Sequence, residues 1–245
     1  MDIVYQSADI RVSDHLDDDG ETQRQLYIGP SFTHCQGAVK LQKPWYHVHQ
    51  FTRHLTYAAM TVPTTPTRVL FLGLGAGVAV NSIGALYPSA DLDVVDNCQE
   101  LFHVSHRYFY SLDRDTIHLI HADAADYLLA AHQQYDLICC DVWTSVLDAP
   151  SFLKNSEFYD RMRLLLTNKG VFAINAPASD HKRISEVLAS RFNITVSVKG
   201  NNAFFISSDQ AHFGATIPPT FKDDVDYNID IKAIESSSIE LRMHK

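Results

Sequence analysis

Basic residues are in short supply in this chain: 20 Lys and Arg stand against 29 Asp and Glu, a formal net charge of −9. No dense Lys/Arg stripe offsets that balance, which argues against a nucleic-acid backbone as partner and favours a small neutral or cationic molecule. Long apolar runs are also missing. No stretch approaches the roughly 20 residues that a membrane-spanning helix needs, so no membrane association is expected. The opening Met1-Asp-Ile-Val-Tyr-Gln6 has neither the basic nor the apolar region of a secretion signal, and a cytoplasmic protein is expected. Cysteine is limited to Cys35, Cys98, Cys139 and Cys140, with no C-x-x-C spacing, and two of them adjoin inside an apolar run. Buried thiols are therefore expected, and neither a disulfide framework nor redox chemistry is indicated. Histidine is plentiful, with 13 residues, and Tyr46-His-Val-His49 has a strand-like spacing that would suit a metal edge. No third ligand stands at a motif distance, so no metal is expected; His118 and His121 read as core histidines of a central strand. Internal repeats and low-complexity segments are absent.

What is present is a nucleoside-binding pattern. The run Arg68-Val-Leu-Phe-Leu-Gly-Leu-Gly-Ala-Gly77 reads as a buried strand breaking into a tight glycine turn, followed by a helix whose N-terminus faces the space above the sheet. Asp96 closes the next apolar run about 20 residues on, where a carboxylate can accept both hydroxyls of a ribose. A dinucleotide fingerprint needs G-x-G-x-x-G. Here Gly73, Gly75 and Gly77 are spaced G-x-G-x-G, with Val78 next, the pattern of S-adenosylmethionine-type enzymes.

With 245 residues, 46% of them hydrophobic, the chain can bury a full core and suits one main domain with a small appendage. Residues 1–60 read as a β-rich N-terminal domain. Asp9-Ile-Arg-Val12 and Gln25-Leu-Tyr-Ile28 alternate as strands, and Asp14 to Glu21 reads as a solvated acidic loop between them. Pro63 and Pro66 hold the following linker extended. Residues 61–245 form the nucleoside-binding domain. Strands are predicted over 68–73, 92–95, 116–122, 135–140 and 171–175, and helices over 76–86, 99–108, 124–132, 156–166 and 181–191. A closing β pair falls near 194–198 and 203–207. Such alternation predicts an α/β fold with a doubly wound, mostly parallel Rossmann-like sheet and an antiparallel edge.

Ligands of such sheets sit above the carboxyl ends of the strands, where strand order reverses. Three predicted strand ends carry acids: Asp96, Asp123 and Asp141. Asp123 is equally well read as the cap of the following helix. As a set, the three suit a ribose ligand, an acceptor for the exocyclic adenine amine, and a group facing the reaction centre.

From about Gln36 to Ala176 the chain resembles the spermidine synthase family of aminopropyltransferases. The resemblance is carried by Leu72-Gly-Leu-Gly-Ala-Gly77, Val94-Val-Asp96, Arg107-Tyr-Phe109, Asp123-Ala-Ala-Asp-Tyr-Leu128, Tyr135-Asp-Leu-Ile-Cys-Cys-Asp141, Glu157-Phe-Tyr159 and Arg163 to Phe172. Gln36, Tyr46 and the helix-like His54 to Met60, containing Tyr57, look like the family's junction between N-terminal strands and core. The resemblance implies a methyltransferase-type fold and a nucleoside held by Gly73, Gly75, Ala76, Gly77, Asp96 and Asp123. It also implies that Asp141 takes a proton from an attacking amine, and that Gln36 and Tyr46 line the cofactor and acceptor pocket.

Two positions depart from the family. Its glycine motif carries an Asp that pairs with the amine of decarboxylated S-adenosylmethionine, and this chain has Ala76. A second Asp three residues after the catalytic one grips the polyamine, and this chain has Thr144, preceded by Trp143, an aromatic wall a cation could contact. A buried Asp beside the amino-acid end would repel the carboxylate of intact S-adenosylmethionine, and Ala76 removes that repulsion. The reading is an enzyme that moves a methyl or aminopropyl group from S-adenosylmethionine or its decarboxylated form to a small amine-type acceptor, with a lean towards the intact cofactor. The alternatives are a nucleoside-binding homologue without turnover, acting as partner or sensor, and a nicotinamide-dependent oxidoreductase, against which Val78 counts. A homodimer through exposed edges of the β-rich piece is a further expectation.

Overall fold

The structure, a computed structural model, describes residues 1–44, 46–109, 114–144, 148–199, 202–210 and 242–243. The C-terminal segment 218–245, read from sequence as a cover for the pocket or a fraying end, lies outside these residues except for 242 and 243.

The N-terminal part is a four-stranded antiparallel sheet in the order β1 (Asp2–Gln6), β2 (Ile10–Leu16), β3 (Thr22–Ile28), β4 (Cys35–Lys40). Alternation explains much of the inner strands: Ile10, Val12 and Leu26 are fully buried while Asp9, Arg11, Gln25 and Tyr27 are not, although Ser13 is buried beside Val12. Strands β1 and β4 are not apparent from sequence, because β1 is largely exposed and β4 is interrupted by Gly37. The acidic run 14–21 is not a free solvated loop. Asp14 lies in β2 and pairs with Arg24 at 2.8 Å, and Asp17 and Glu21 both bind the buried Lys40, at 3.0 and 2.6 Å. That lysine needs both acids because a buried ammonium without a counter-charge is costly.

Helix α1 (Gln50–Met60) begins four residues before the expected 54–60 and buries eight of its eleven residues. The remainder alternates: β5 (Arg68–Leu72), α2 (Val78–Leu86), β6 (Asp91–Asp96), α3 (Gln99–Phe109), β7 (Ile117–His121), α4 (Ala124–Ala130), β8 (Tyr135–Cys140), α5 (Ser156–Leu165), β9 (Leu166–Pro177), α6 (His181–Ala189), β10 (Ile194–Lys199), β11 (Asn202–Ser208) and β12 (Arg242–Met243). Every element of this series from β5 to β11 is within a few residues of its predicted place except β9. That strand is extended by pairing at both ends, Tyr135 with Leu166 and Asn202 with Pro177.

The large sheet runs β12-β10-β11-β9-β8-β5-β6-β7. From β9 to β7 the pairs are parallel; β11 is antiparallel to β9, and β10 to β11. This is the expected doubly wound sheet with an antiparallel edge. Chain order moves outward from β5 to β6 and β7, then returns to β8 on the other side of β5, so strand order reverses between β5 and β8. Because β7 is thereby the edge, His118 and His121 are exposed, contrary to their reading as core residues of a central strand. His118 approaches Asp91 at 3.6 Å and His121 the Asn97 carbonyl at 3.1 Å. Cys139 and Cys140 are fully buried in β8. One apolar cluster joins the small sheet to α1, α2, α3 and one face of the large sheet, and a second lies beneath α4, α5 and α6. Among the described residues no helix is long and apolar enough to cross a membrane.

Candidate active site

The site is built where β5 and β8 part. Gly73, immediately after β5, has φ 93°, and a Cβ there would lie 2.3 Å from the Asp141 carbonyl oxygen. Only glycine allows this close approach of the two loops. Gly75 and Gly77 also have positive φ, 54° and 74°, and Gly77 is the N-cap of α2. Helix α2 therefore starts at Val78 and not at the expected Ala76. Its first turn contains no acidic residue and no side chain caps it, so its N–H groups present a positive end to the loop. Ser105 of α3 donates to the Gly75 carbonyl at 2.7 Å and holds the loop from behind.

Asp96 turns in onto this loop. One carboxylate oxygen accepts from Leu74 N–H at 2.9 Å and the other from Cys98 N–H at 2.8 Å. Burial raises its pKa above the ordinary carboxylate value, and the two backbone donors and His121 oppose the rise. Asp123 caps α4, accepting from Ala125 N–H at 2.8 Å and Asp126 N–H at 3.4 Å, and still borders the crevice.

Asp141, partly exposed at the end of β8, is held by two side chains on a single oxygen. Trp143 Nε1 donates to Oδ1 at 2.8 Å and Asn175 Nδ2 donates to the same atom at 2.9 Å. No described residue places a donor on Oδ2. Burial raises the Asp141 pKa, and the Asn175 and Trp143 bonds lower it by favouring the anion. Asn175 is 1% exposed, and its own Oδ1 has no hydrogen-bond partner among the described residues.

These groups border a crevice of about 1230 Å³ above the strand ends. Of the residues expected from sequence, Gln36, Gly73, Gly75, Asp96, Asp123, Asp141, Trp143 and Thr144 all line it. Thr144 also closes a turn by accepting from Asp148 N–H at 3.1 Å. Three expected residues, Ala76, Gly77 and Tyr46, are not in its lining. Ala76 turns its side chain towards β4, where a Cβ on Gly37 would meet it at 2.6 Å; together with Gly77 it borders a cavity of about 30 Å³ that shares Gln36, Gly73, Gly75 and Asp141 with the crevice. Tyr46 does not line the crevice, because Lys40 and Arg53 lie over its ring at 4.8 and 5.3 Å and hold it against the small sheet.

Asn175 and Ser105 were missed from sequence. Asn175 had a signal: it is the polar residue closing the apolar run Val171-Phe-Ala-Ile, in the same way that Asp141 closes its own run. Ser105 had none, since a serine within an amphipathic helix is unremarkable.

No protein-family model matches the chain. In sequence it is 26% identical over 162 residues to the polyamine aminopropyltransferase of Vibrio vulnificus, a match covering 62% of this chain and 54% of that protein. The chain resembles polyamine aminopropyltransferases. It spans about half the length of this curated relative. Its fold is similar to that of a probable spermidine synthase from Corynebacterium glutamicum, with a TM-score of 0.72 at 16% identity, covering 92% of this chain and 85% of the other. It is also similar to human methyltransferase-like protein 13, solved with SAH, with a TM-score of 0.55 at 17% identity and coverage of 76% and 88%. The aminopropyltransferase resemblance and the methyltransferase-like fold thus meet in one chain, as its motifs imply.

Proposed function

We propose that this chain is a transferase that moves an alkyl group from a sulfonium nucleoside to a small amine. The observation that carries the reading is the placement of Asp96 on the glycine bend, 2.9 Å from Leu74 N–H, across the strand-order reversal from Asp141. The residues present fit such a nucleoside. Gly73 and Gly75 let backbone approach it, Asp96 would hold the ribose, and Asp123 would accept from the adenine amine. When bound, the nucleoside supplies an electron-poor carbon whose bond to sulfur breaks as the acceptor nitrogen bonds to it, leaving a neutral thioether. Asp141 then has one task, to orient the acceptor and take its proton. The site supports a division of labour between the two oxygens: Oδ1 is fixed by Trp143 and Asn175, and Oδ2 receives the proton.

We favour intact S-adenosylmethionine as donor over its decarboxylated form. Its carboxylate suits the uncapped N-terminus of α2, whose first turn carries no acidic residue. The similarity to a polyamine aminopropyltransferase supports the other donor, so the test uses both. Purified chain is incubated with each donor and an amine panel, and the products are read by mass spectrometry. S-adenosylhomocysteine marks methyl transfer and methylthioadenosine marks aminopropyl transfer. Neither product under any condition overturns the proposal.

A further inference from the structure

The sheet places the acids of the crevice in a fixed lateral order. Asp123 follows β7, Asp96 ends β6, Gly73 follows β5 and Asp141 follows β8, with neighbouring strands about 4.8 Å apart. Beyond Asp141, over β9 and β11 and against β4 and α1, the described lining contains no further Asp or Glu, and the whole described lining contains no Lys, Arg or Glu. Rings and the uncharged side chains of Gln36, Gln50, Asn175 and Asn202 take that space instead. His49 stacks on Phe51 with centroids 5.4 Å apart at 16°, and His54 lies against Phe204 at 4.9 Å and 34°. The His49 ring nitrogen lies 3.4 Å from Cys35 Sγ. Burial lowers the pKa of His49 and raises that of Cys35 to about 11, so this pair is neutral near pH 7.

From this arrangement we propose that the acceptor carries a single cationic nitrogen on an aromatic or apolar body, and that the compartment beyond Asp141 selects against polyamines. The inference rests on the transferase reading above and names the acceptor class of that site. The acceptor amine meets Asp141, which balances one charge. A second ammonium further along would lose water against a wall whose described residues carry no counter-ion, which costs free energy. An aromatic or alkyl group in the same place meets ring faces and exchanges apolar surface favourably. Sites discriminate most strongly when the wrong ligand is left with an unpaired polar group.

The test compares 2-phenylethylamine, butylamine, 1,4-diaminobutane and spermidine on the full chain. Both turnover with the working donor and calorimetric binding to protein loaded with S-adenosylhomocysteine are measured. The kcat/KM for 2-phenylethylamine is expected to exceed that for 1,4-diaminobutane by at least tenfold, with affinities in the same order. Asn202→Asp adds a near-isosteric carboxylate from β11 to the crevice wall and is expected to reduce that ratio about tenfold, with nucleoside affinity unchanged. Equal or better use of the diamine or of spermidine by the unaltered chain overturns the proposal, as does an unchanged ratio in the variant. If the nucleoside binds and no amine turns over, the transferase reading fails instead. The titrations then still decide the acceptor class: selective binding of 2-phenylethylamine supports it, and its absence, or preferred binding of the diamine, overturns it.

Discussion

Two polar clusters built on the same sheet differ in one respect, whether their hydrogen bonds close. Inside the fold, Tyr135 at the start of β8 donates to Asp93 at 2.8 Å, meets the Tyr127 hydroxyl at 2.7 Å and accepts from Gln133 at 2.7 Å. Gln133 also reaches Tyr127 at 3.0 Å, so each member has a partner within the group. At the other end of β8 the cluster of Asp141, Trp143 and Asn175 places both donors on one carboxylate oxygen and leaves Asn175 Oδ1 without a partner among the described residues. A closed network costs nothing further and fixes the packing of its strands. An open one beside a crevice retains binding capacity that the protein does not use on itself. The two ends of a single strand thus carry a closed polar group and an open one.

The sharpest way to break this contrast is at Asp141. Asp141→Asn is expected to reduce turnover by about a hundredfold or more, the scale of losing a positioned base, while the dissociation constant of the nucleoside stays within about twofold. Steady-state kinetics beside calorimetry would show it, and an unchanged rate would move the base elsewhere. Next in size is Asp96→Ala, which removes the carboxylate proposed to hold the ribose and should weaken nucleoside binding roughly tenfold to a hundredfold. Because Leu74 and Cys98 N–H also lose their acceptor, denaturant unfolding should show a loss of about 1–3 kcal/mol as well. Tyr135→Phe attacks the closed cluster: stability should fall by about 1–3 kcal/mol as buried Asp93 loses a donor, with turnover per folded molecule unaltered. A comparable loss of turnover would show that the two clusters are not independent.

Smaller effects concern pH. Burial raises the pKa of Asp141, so the acid limb of the rate profile should fall above the ordinary carboxylate range. Asn175→Leu removes an anion-stabilising donor and should move the limb higher still. A raised carboxylate stabilises the fold only while protonated, so the contributions of Asp141 and Asp96 are complete below the unfolded value and are lost as pH rises through their folded values. Asp17 has the opposite sign. Its bonds from Lys40 lower its pKa from 3.8 to about 2, so its contribution is present above about 4 and disappears as pH falls towards 2. Acid unfolding of Asp17→Asn should lack that component.

Much of the fold was legible because its signals are local. An apolar run ending in glycines, acids at strand ends and amphipathic helices place β5 to β11 to within a few residues, β9 excepted. The misread parts depend on partners distant in sequence. The acidic run 14–21 looked solvated because Lys40, which binds it, lies 19 residues beyond Glu21. Tyr46 looked like a pocket residue because nothing local shows Lys40 and Arg53 lying over its ring. His118 and His121 looked central because strand order is not written along the chain.

By itself the sequence determined the glycine corner and the acid that meets it. A glycine turn after a buried strand and a carboxylate at the end of the next strand are short-range features, governed by backbone sterics and the two-residue period of a strand. The tertiary structure alone decided what shares the crevice with Asp141, because Asn175, His49 and Phe204 come from three different segments. Their meeting is set by the order in which strands pair, an outcome of burying two apolar faces at once that no local pattern encodes.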